Sequence, residues 1–321
     1  MNMGTKLRML LKEKKFIVSM GAETPVHAKI VEKAGFDYAY VGGYDVALAL
    51  FGLPDVGLVT ETEMVASVRN VVRTVNIPVV SDADNGYGNA INTIRTVQNF
   101  EAAGVAAIHI EDQVMPKRCG HVAGKMIVSL DEAVGKLKAA LEARKDKDFV
   151  IIARTDSVAA AGGGLDEAVR RGKEFARIGC DMVFCEFPSA DIEYPKRFAQ
   201  EMHRVYPRYP LYFNYSANLK WHEYPLTTFE ALGDMGYKAM HVSQACLRPS
   251  IKAVWNYALD VKKRGAQAEI DLENELLGHP MGTLNDFAGI PVFKELENKY
   301  LPKEELEKRY KRTTDQESIV K

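Results

Sequence analysis

The sequence has few of the features that mark disulfide-rich, membrane-spanning or nucleic-acid-binding proteins. It contains four cysteines in 321 residues, and none forms a CxxC pair, which argues against a zinc knuckle or a thioredoxin-like motif. No apolar run reaches the about 20 residues that a transmembrane helix needs. Because 42 basic and 43 acidic residues leave a formal net charge of −1, the composition gives no electrostatic reason to expect nucleic acid or a membrane as a partner.

The start of the chain also lacks a targeting signal. Residues 1–15 contain several basic side chains but no long apolar core, so they do not resemble a secretory signal. Reduced thiols and the absence of such a signal predict a cytoplasmic protein. The apolar fraction of 47% is enough for a large core, and the length suits one large α/β barrel or two ordinary domains.

Eight short apolar runs alternate with longer amphipathic stretches. The runs are solidly apolar rather than alternating, which is typical of parallel strands buried on both faces. They begin at Phe16, Tyr38, Ile77, Ala106, Phe149, Met182, Leu211 and Ala239. This alternation predicts a (β/α)8 TIM-type barrel that forms a catalytic domain over residues 1–264. The alternative is an open doubly wound sheet, but no GxGxxG motif follows the first run.

The remaining residues, 265–321, exceed what a barrel needs. They include Pro280, Pro291 and Pro302, followed by a charged stretch with helical character over residues 303–310. We expect a C-terminal helical extension and a frayed tail. The sequence shows no internal repeat and no second domain.

Acidic side chains stand where the third and fourth predicted strands end. Asp82 and Asp84 precede two glycines, and Glu111 ends the next strand. In a barrel these positions lie at one face, where clustered carboxylates repel each other unless a cation is present. The arrangement favours Mg²⁺, or else Mn²⁺, while the lack of a histidine cluster argues against Zn²⁺. The alternative for the first pair is an Asx-rich turn that caps a helix.

The loop after the fourth strand carries Lys117, Arg118, Cys119, Gly120 and His121. Two cations beside a thiol are expected to lower its pKa and to prepare it for proton transfer. His121 could transfer a proton or anchor a carboxylate, and the glycines of the loop could act as hinges of a lid. The alternative is a surface loop with an unreactive cysteine.

Other strand ends supply groups suited to an anionic substrate. Arg154 can bind a carboxylate through two parallel hydrogen bonds, and Glu186 adds an acid at the same face. His109 lies inside an apolar run and is expected to be a core histidine. The remaining candidates for substrate contact are Tyr40, Gly42, Gly43, Tyr44, Asn214, Ser216 and Asn218.

Five short segments occur in the order found in the isocitrate lyase/phosphoenolpyruvate mutase superfamily. They are residues 52–55, 82–88, 110–113, 117–121 and 153–156. On these segments the sequence resembles that superfamily from about residue 15 to residue 264. The resemblance implies a barrel whose last helix is exchanged with a neighbouring subunit, a homotetramer, and a requirement for Mg²⁺.

The resemblance also implies roles for individual residues. Asp84 would be the acid nearest the metal, and Arg154 and Glu186 would face the substrate. Cys119 would be the catalytic thiol on a mobile loop. Because the mutases lack this cysteine, it points to the carbon–carbon lyases. The acids of the surrounding water-mediated shell would be Asp55, Asp82 and Glu111.

Several positions depart from the family pattern. Gly42 stands where a serine is usual, and Tyr44 stands where isocitrate lyases have tryptophan. Residues 214–221 resemble an isocitrate lyase segment, but Asn218 replaces a serine and Leu219 a phenylalanine. The smaller residues near the substrate are expected to influence whether an extra methyl group is accepted.

Together these features predict retro-aldol-type cleavage of a 2-hydroxy di- or tricarboxylate such as isocitrate or 2-methylisocitrate. Tyr40 is a candidate base and Cys119 the proton donor, while Asn214, Ser216, Asn218 and His121 would hold the carboxylate. Alternative substrates are 2,3-dimethylmalate and oxaloacetate, the latter through hydrolysis or decarboxylation. Further alternatives are phosphonomutase-like chemistry and an inactive barrel that serves as a binding subunit.

Overall fold

The structure is a computed structural model that describes residues 2–311. Two compact units divide the chain between Ser250 and Ile251. The first unit contains all the strands, and the second consists of helices. The predicted domain boundary at residue 264 coincides with the end of a helix that begins at Leu247.

Eight parallel strands form one sheet in the first unit. Neighbours in sequence pair with each other, and the eighth strand pairs with the first, in the register Ile17 to Ala239. A bridge between Gly21 and Tyr40 links the first two strands and closes the ring. The (β/α)8 prediction is therefore confirmed, and the open doubly wound alternative is wrong. The strands are β1 (Ile17–Met20), β2 (Ala39–Val41), β3 (Val79–Asp82), β4 (Ala107–Glu111), β5 (Val150–Thr155), β6 (Met182–Cys185), β7 (Leu211–Tyr215) and β8 (Tyr237–Val242).

Helices connect the strands, and local sequence signals fix several of their ends. The Asn89 side chain accepts hydrogen bonds from the first turn of one helix, which ends at Gly104 with a φ of 89°. Ser129 caps the next helix by accepting from Glu132 N, as its spacing predicts. The helices of the first unit are α1 (Met3–Glu13), α2 (Pro25–Lys33), α3 (Gly43–Phe51), α4 (Glu61–Val72), α5 (Ala90–Ala103), α6 (Leu130–Ala143), α7 (Leu165–Arg177), α8 (Glu193–Val205), α9 (Phe229–Asp234) and the start of α10 (Leu247–Arg264).

Large buried side chains fill the inside of the barrel. Tyr38 and Tyr212 pack there with aliphatic residues from the other strands, and Phe184 lies edge-on to His109. A second apolar layer lies between the strands and the surrounding helices. This close packing holds the strand ends, and the side chains that follow them, in fixed positions.

The second unit contains the rest of the predicted helical extension. Its helices after α10 are α11 (Ala266–Leu276), α12 (Leu284–Ala288), α13 (Ile290–Tyr300) and α14 (Lys303–Tyr310). The charged stretch predicted to be helical is α14, and the predicted tail from residue 312 onward lies outside the described residues. Within residues 2–311, no helix is both long and apolar enough to cross a membrane.

Candidate active site

The predicted acids converge with Lys117 at the carboxyl ends of β3 and β4. The Lys117 ammonium lies 2.7 Å from Asp84 Oδ1 and 2.5 Å from Asp55 Oδ1. Asp82 is held by backbone donors, since Gly43 N and Asp84 N donate to its two oxygens. All four side chains are buried or nearly so, which makes their mutual charges strongly felt.

This acidic end fits a hydrated divalent metal ion. Glu111 Oε1 is buried and accepts no hydrogen bond from any described residue, and Asp84 Oδ1 is buried against the Lys117 ammonium. Burial raises the pKa of Asp84 to about 6, although Lys117 opposes the shift, and burial raises the pKa of Glu111 as well. A cation would stabilise the ionised form of both groups. Over residues 2–311, no three acidic, histidine or cysteine side chains converge to ligate one ion directly.

Arg154 lies at the centre of a second group of charged residues at the end of β5. Its Nε and Nη2 donate to the two oxygens of Asp156 at 3.0 Å, which forms a bidentate pair. Glu111 lies 3.4 Å away on β4, and Glu186 lies 3.5 Å away after β6. Asn214 Nδ2 donates to Glu186 at 3.0 Å, so a chain of ion pairs and hydrogen bonds runs from β5 to β7.

The loop with Cys119 lies directly over these groups. Gly120 touches them so closely that a Cβ at this position would stand 2.6 Å from Arg154 Nη2. The buried Lys125 ammonium donates to the Gly120 carbonyl oxygen, and Cys119 N donates to Asp55 O. The loop is therefore fixed in a closed position over the strand ends.

The environment of the Cys119 thiol differs from the prediction. Burial, with a contribution from Asp55, raises the pKa of this thiol to about 12. The expected net lowering of the pKa is wrong for this conformation, because burial of the thiol outweighs the lowering by the Lys117 and Arg154 charges. A thiol that stays protonated can give up a proton but is a poor nucleophile.

His121 also lies inside the closed loop. Its Nε2 is 3.4 Å from Glu186 Oε1, a distance at which a charged ring would form an ion pair. Burial lowers the pKa of His121, so the neutral ring is favoured. Neither ring nitrogen has a hydrogen-bond partner among the described residues, which leaves both available to a ligand.

Tyr40 is less suited to act as a base than the sequence suggests. Its hydroxyl lies 2.8 Å from His109 Nε2, and its ring stacks on His241 with centroids 3.6 Å apart. Burial, followed by the charge of Asp82, raises the pKa of Tyr40 well above its usual value. A neutral hydroxyl is a hydrogen-bond donor or acceptor rather than a ready base. His109 is buried, as predicted for a core histidine.

One cavity brings most of the predicted residues together. Its volume is about 40 Å³. Pockets for small molecules typically span about 300–1,000 Å³, so the loop has to move aside before a di- or tricarboxylate can enter. The predicted residues that line the cavity are Tyr40, Gly42, Gly43, Tyr44, Asp55, Asp82, Lys117, Cys119, His121, Arg154, Glu186, Asn214 and Ser216.

Three predicted residues do not line this cavity. Asp84 and Glu111 lie beside it, in contact with Lys117 and Arg154 respectively. Asn218 lies in a short 3-10 helix, where its backbone N–H donates to Ser216 Oγ. Its contact with substrate stays a prediction.

Sequence reasoning did not single out several residues that the site contains. Asp156 supports Arg154, and its own N–H donates to Asp112, which in turn pairs with Arg171 of α7 at 3.0 Å. The position of Asp156 two residues after Arg154 was the available signal. The cavity is also lined by Asp45, His241, Ser243 and Gln244.

An acidic end that fits a metal ion, an arginine and an enclosed thiol form a group of side chains typical of an enzyme active site. Comparison with known sequences identifies the family. The family model described as "Phosphoenolpyruvate phosphomutase" matches residues 7–262. The chain belongs to this family, the phosphoenolpyruvate mutase/isocitrate lyase superfamily, whose members are lyases and mutases, and the resemblance seen in the sequence is confirmed.

Three curated relatives are similar over most of their length. An isocitrate lyase of Haloferax volcanii is 38% identical over 92% of this chain and 86% of its own. A 2,3-dimethylmalate lyase of Eubacterium barkeri is 38% identical over 94% of this chain and 99% of its own. A 2-methylisocitrate lyase of Aeropyrum pernix is 35% identical over 83% of this chain and 82% of its own.

Solved structures share the same fold. A phosphonopyruvate hydrolase crystallised with oxalate and Mg²⁺ superposes with a TM-score of 0.81 and 27% identity. The match covers 94% of this chain and 100% of the hydrolase. A divalent ion in that relative is consistent with the acidic strand ends described above.

Proposed function

We propose that this protein is a Mg²⁺-dependent carbon–carbon lyase that cleaves a 2-hydroxy di- or tricarboxylate into an oxo-acid and a second acid. The observation that carries the proposal is the position of the buried Cys119 thiol, which shares one cavity with Arg154 and Asn214 and whose pKa is raised by burial. A buried proton donor beside carboxylate-binding groups is what a carbanion next to a carboxylate requires.

The acidic end of the barrel would hold the metal ion. Asp84 is the direct ligand in this proposal, and Asp55, Asp82 and Glu111 act through water. When bound, Mg²⁺ stabilises negative charge on the oxygens of a 2-hydroxycarboxylate or 2-oxo-acid. Lys117 then stands between two of the acids and limits their mutual repulsion.

The chain's own groups would hold the other half of the substrate. Asp156 fixes the Arg154 guanidinium, which can donate from its remaining N–H groups to a substrate carboxylate. His121 has two unpartnered nitrogens within the described structure, and the one that carries the proton can donate to the carboxylate of the forming carbanion. Asn214 would offer its amide Nδ2, which donates to Glu186 at 3.0 Å in this conformation.

Cleavage then proceeds by a retro-aldol step. A base takes the substrate hydroxyl proton, the bond between the two carbons breaks, and its electron pair passes to the carbon beside the carboxylate. The Cys119 thiol delivers a proton to that carbon. Isocitrate would give glyoxylate and succinate, and 2-methylisocitrate would give pyruvate and succinate.

The similar relatives support lyase chemistry but name different acids. Isocitrate, 2-methylisocitrate and 2,3-dimethylmalate lyases are each 35–38% identical to this chain. Hydrolysis of oxaloacetate is a second candidate, because an oxaloacetate acetylhydrolase shares the fold with a TM-score of 0.79. Cys119 argues against phosphonomutase chemistry, in keeping with the family pattern.

A substrate panel tests the proposal. The purified protein is incubated with Mg²⁺ and isocitrate, 2-methylisocitrate, 2,3-dimethylmalate or oxaloacetate, and glyoxylate, pyruvate and oxalate are quantified separately. We expect cleavage of at least one hydroxy acid and loss of turnover on removal of the metal with a chelator. Metal-independent turnover, or none with any acid, would overturn the proposal.

A matched pair of cysteine variants isolates the thiol. Cys119→Ser should reduce turnover by at least about 1,000-fold and leave Mg²⁺ binding intact. Cys180→Ser is the control, since that thiol is also free and buried but does not line the cavity. Equal turnover in the two variants would remove Cys119 from the reaction.

A cytoplasmic homotetramer with an exchanged last helix also remains a proposal. Large apolar side chains are exposed in the second unit of the single chain, among them Trp255, Val292 and Phe293. Association with other subunits would bury them. Light scattering after gel filtration should give four times the monomer mass, whereas a monomer would contradict this arrangement.

A further inference from the structure

A pair of acids lies at a part of the cavity that the proposed mechanism does not use. Asp45 stands in the first turn of α3, and Glu23 follows β1. Each residue is only 1% exposed. Asp45 Oδ1 and Glu23 Oε2 receive no hydrogen bond from residues 2–311.

Asp45 is part of the cavity lining, together with Ser243 and Gln244 from the end of β8. Gln244 N donates to Asp45 Oδ2 at 3.4 Å, and the buried Ser243 Oγ lacks a partner within the described chain. Two residues of this cavity lining, Asp45 and Ser243, thus each carry a buried oxygen atom without a partner among the described residues. Unsatisfied buried polar atoms are rare in folded proteins and call for a ligand or an ordered water.

Glycines make room for the Asp45 carboxyl group. A Cβ at Gly42 would stand 3.3 Å from Asp45 Oδ2, and a Cβ at Gly21 would stand 2.7 Å from it. Gly42 is the position where the family pattern has serine. The Asp45 carboxyl group therefore lies close to where a side chain at position 42 would begin. In this chain an acid, and not the usual serine hydroxyl group, stands at this part of the cavity.

The surroundings of this pair are acidic. His27 Nδ1 lies 2.9 Å from Glu23 Oε1 and is the basic group that meets the pair. Asp45 senses the negative charges of Glu23, Asp55 and Asp82, and burial together with these charges raises its pKa to about 8. The charges of Glu23, Asp55 and Asp82 would repel a substrate carboxylate placed here. A methyl group would leave the Asp45 oxygen unsatisfied.

We propose that Asp45, backed by Glu23, is a specificity subsite that accepts a neutral hydrogen-bond donor of the substrate, such as a hydroxyl group, and rejects a carboxylate. This inference rests on the proposed function, because it assumes that the oxo-acid half of the substrate binds beside Gly42 and Gly43. With this subsite, the preferred substrates are hydroxy acids that carry a further hydroxyl group on the half that becomes the oxo-acid. Their cleavage would release a hydroxylated oxo-acid.

Four oxo-acids test the subsite, because they differ only in the group on the carbonyl carbon. Glyoxylate carries hydrogen, pyruvate a methyl group, 3-hydroxypyruvate a hydroxymethyl group, and oxaloacetate a carboxymethyl group. Their dissociation constants are measured by calorimetry with Mg²⁺ present. We expect 3-hydroxypyruvate to bind at least about tenfold more tightly than pyruvate, since one hydrogen bond to a carboxyl group has that effect.

Variants of Asp45 test whether this residue causes the preference for 3-hydroxypyruvate over pyruvate. Asp45→Ala should reduce the ratio of the 3-hydroxypyruvate and pyruvate affinities to about one, and the exposed Asp166→Ala should leave it unchanged. Asp45→Asn keeps the volume of the side chain if Asp45→Ala does not fold, and at pH 9, above the Asp45 pKa of about 8, it should strengthen oxaloacetate binding by removing a negative charge. Glu23→Gln should have the same effect on oxaloacetate to a smaller extent.

The outcomes separate the two proposals. If the oxo-acids bind but their relative affinities are the same in wild type, Asp45→Ala and Asp45→Asn, the subsite is wrong and the proposed function stands. If none of the four acids binds in the presence of Mg²⁺, both proposals fail.

Discussion

Replacement of Asp45 by asparagine should stabilise the protein. Burial, followed by the charge of Glu23, raises the pKa of Asp45 from 3.8 to about 8. In the unfolded chain this carboxyl group ionises near pH 4, whereas in the folded protein it holds its proton until about pH 8. Between these values the folded state binds more protons than the unfolded state, so the free energy of unfolding falls as pH rises.

The size of the effect follows from the same shift. At pH 7 the solution lies about 3 pH units above the pKa of this carboxyl group in the unfolded chain. Ionisation therefore stabilises the unfolded state by about 4 kcal/mol, at 1.36 kcal/mol per unit. Asparagine keeps the shape and can still accept from Gln244 N, but its amide must also be buried. We therefore expect a gain of about 2–4 kcal/mol, or about 4–8 °C in the melting temperature.

Thermal unfolding of Asp45→Asn and wild type at pH values from 4.5 to 8.5 measures this gain. It should be smallest at pH 4.5, grow with pH, and level off above pH 8. Asp166→Asn is the control, because its carboxylate is 86% exposed and its replacement should change stability by less than about 0.5 kcal/mol. A destabilised Asp45→Asn, or a gain that does not grow with pH, would refute the argument.

Three further predictions concern the loop and its support. Gly120→Ala would place a Cβ 2.6 Å from Arg154 Nη2, so kcat/KM in steady-state kinetics should fall at least about 100-fold. The melting temperature should stay within about 2–3 °C of wild type. Unchanged kinetics would show that the loop closes differently. Arg171→Met removes the partner that lies 3.0 Å from the buried Asp112, so the free energy of unfolding measured in urea should fall by about 3–5 kcal/mol. An unchanged free energy of unfolding would mean that Asp112 finds another donor. Burial raises the Cys119 pKa to about 12, so iodoacetamide at pH 8 should label the Cys119 thiol at least about 100-fold more slowly than a free thiol. Mass spectrometry measures the labelling rate. Rapid labelling would show that the loop is mostly open.

Much of the fold could be predicted from the sequence, because buried parallel strands impose a simple requirement. A strand covered on both faces needs consecutive apolar residues, and all eight such runs became strands of the barrel. Capping residues also act locally, since the side chains of Asn89 and Ser129 accept hydrogen bonds at the starts of α5 and α6. Helix α1 was not predicted, since its basic residues were considered only as a possible signal.

The candidate site was predictable where its residues end strands. Carboxyl ends of parallel strands meet at one face, so Asp82, Glu111 and Arg154 had to lie close together. Pairings across strands depend on register, which places Glu111 opposite Arg154 and was not visible in the sequence. Asp45 lies inside a helix, where no pattern separates a surface acid from a buried one. The pKa of Cys119 depends on closure of the loop, which the sequence does not encode locally.

Cleavage in D₂O tests the central claim most directly. With Mg²⁺ and a hydroxy acid that the protein cleaves, the product that forms from the carbanion should gain one deuterium per turnover, detected by mass spectrometry as an increase of about 1 Da. Cys119→Ser should form almost none of this product. Release of an unlabelled product would contradict protonation of a carbanion and therefore the lyase mechanism, and full turnover by Cys119→Ser would contradict proton delivery by Cys119.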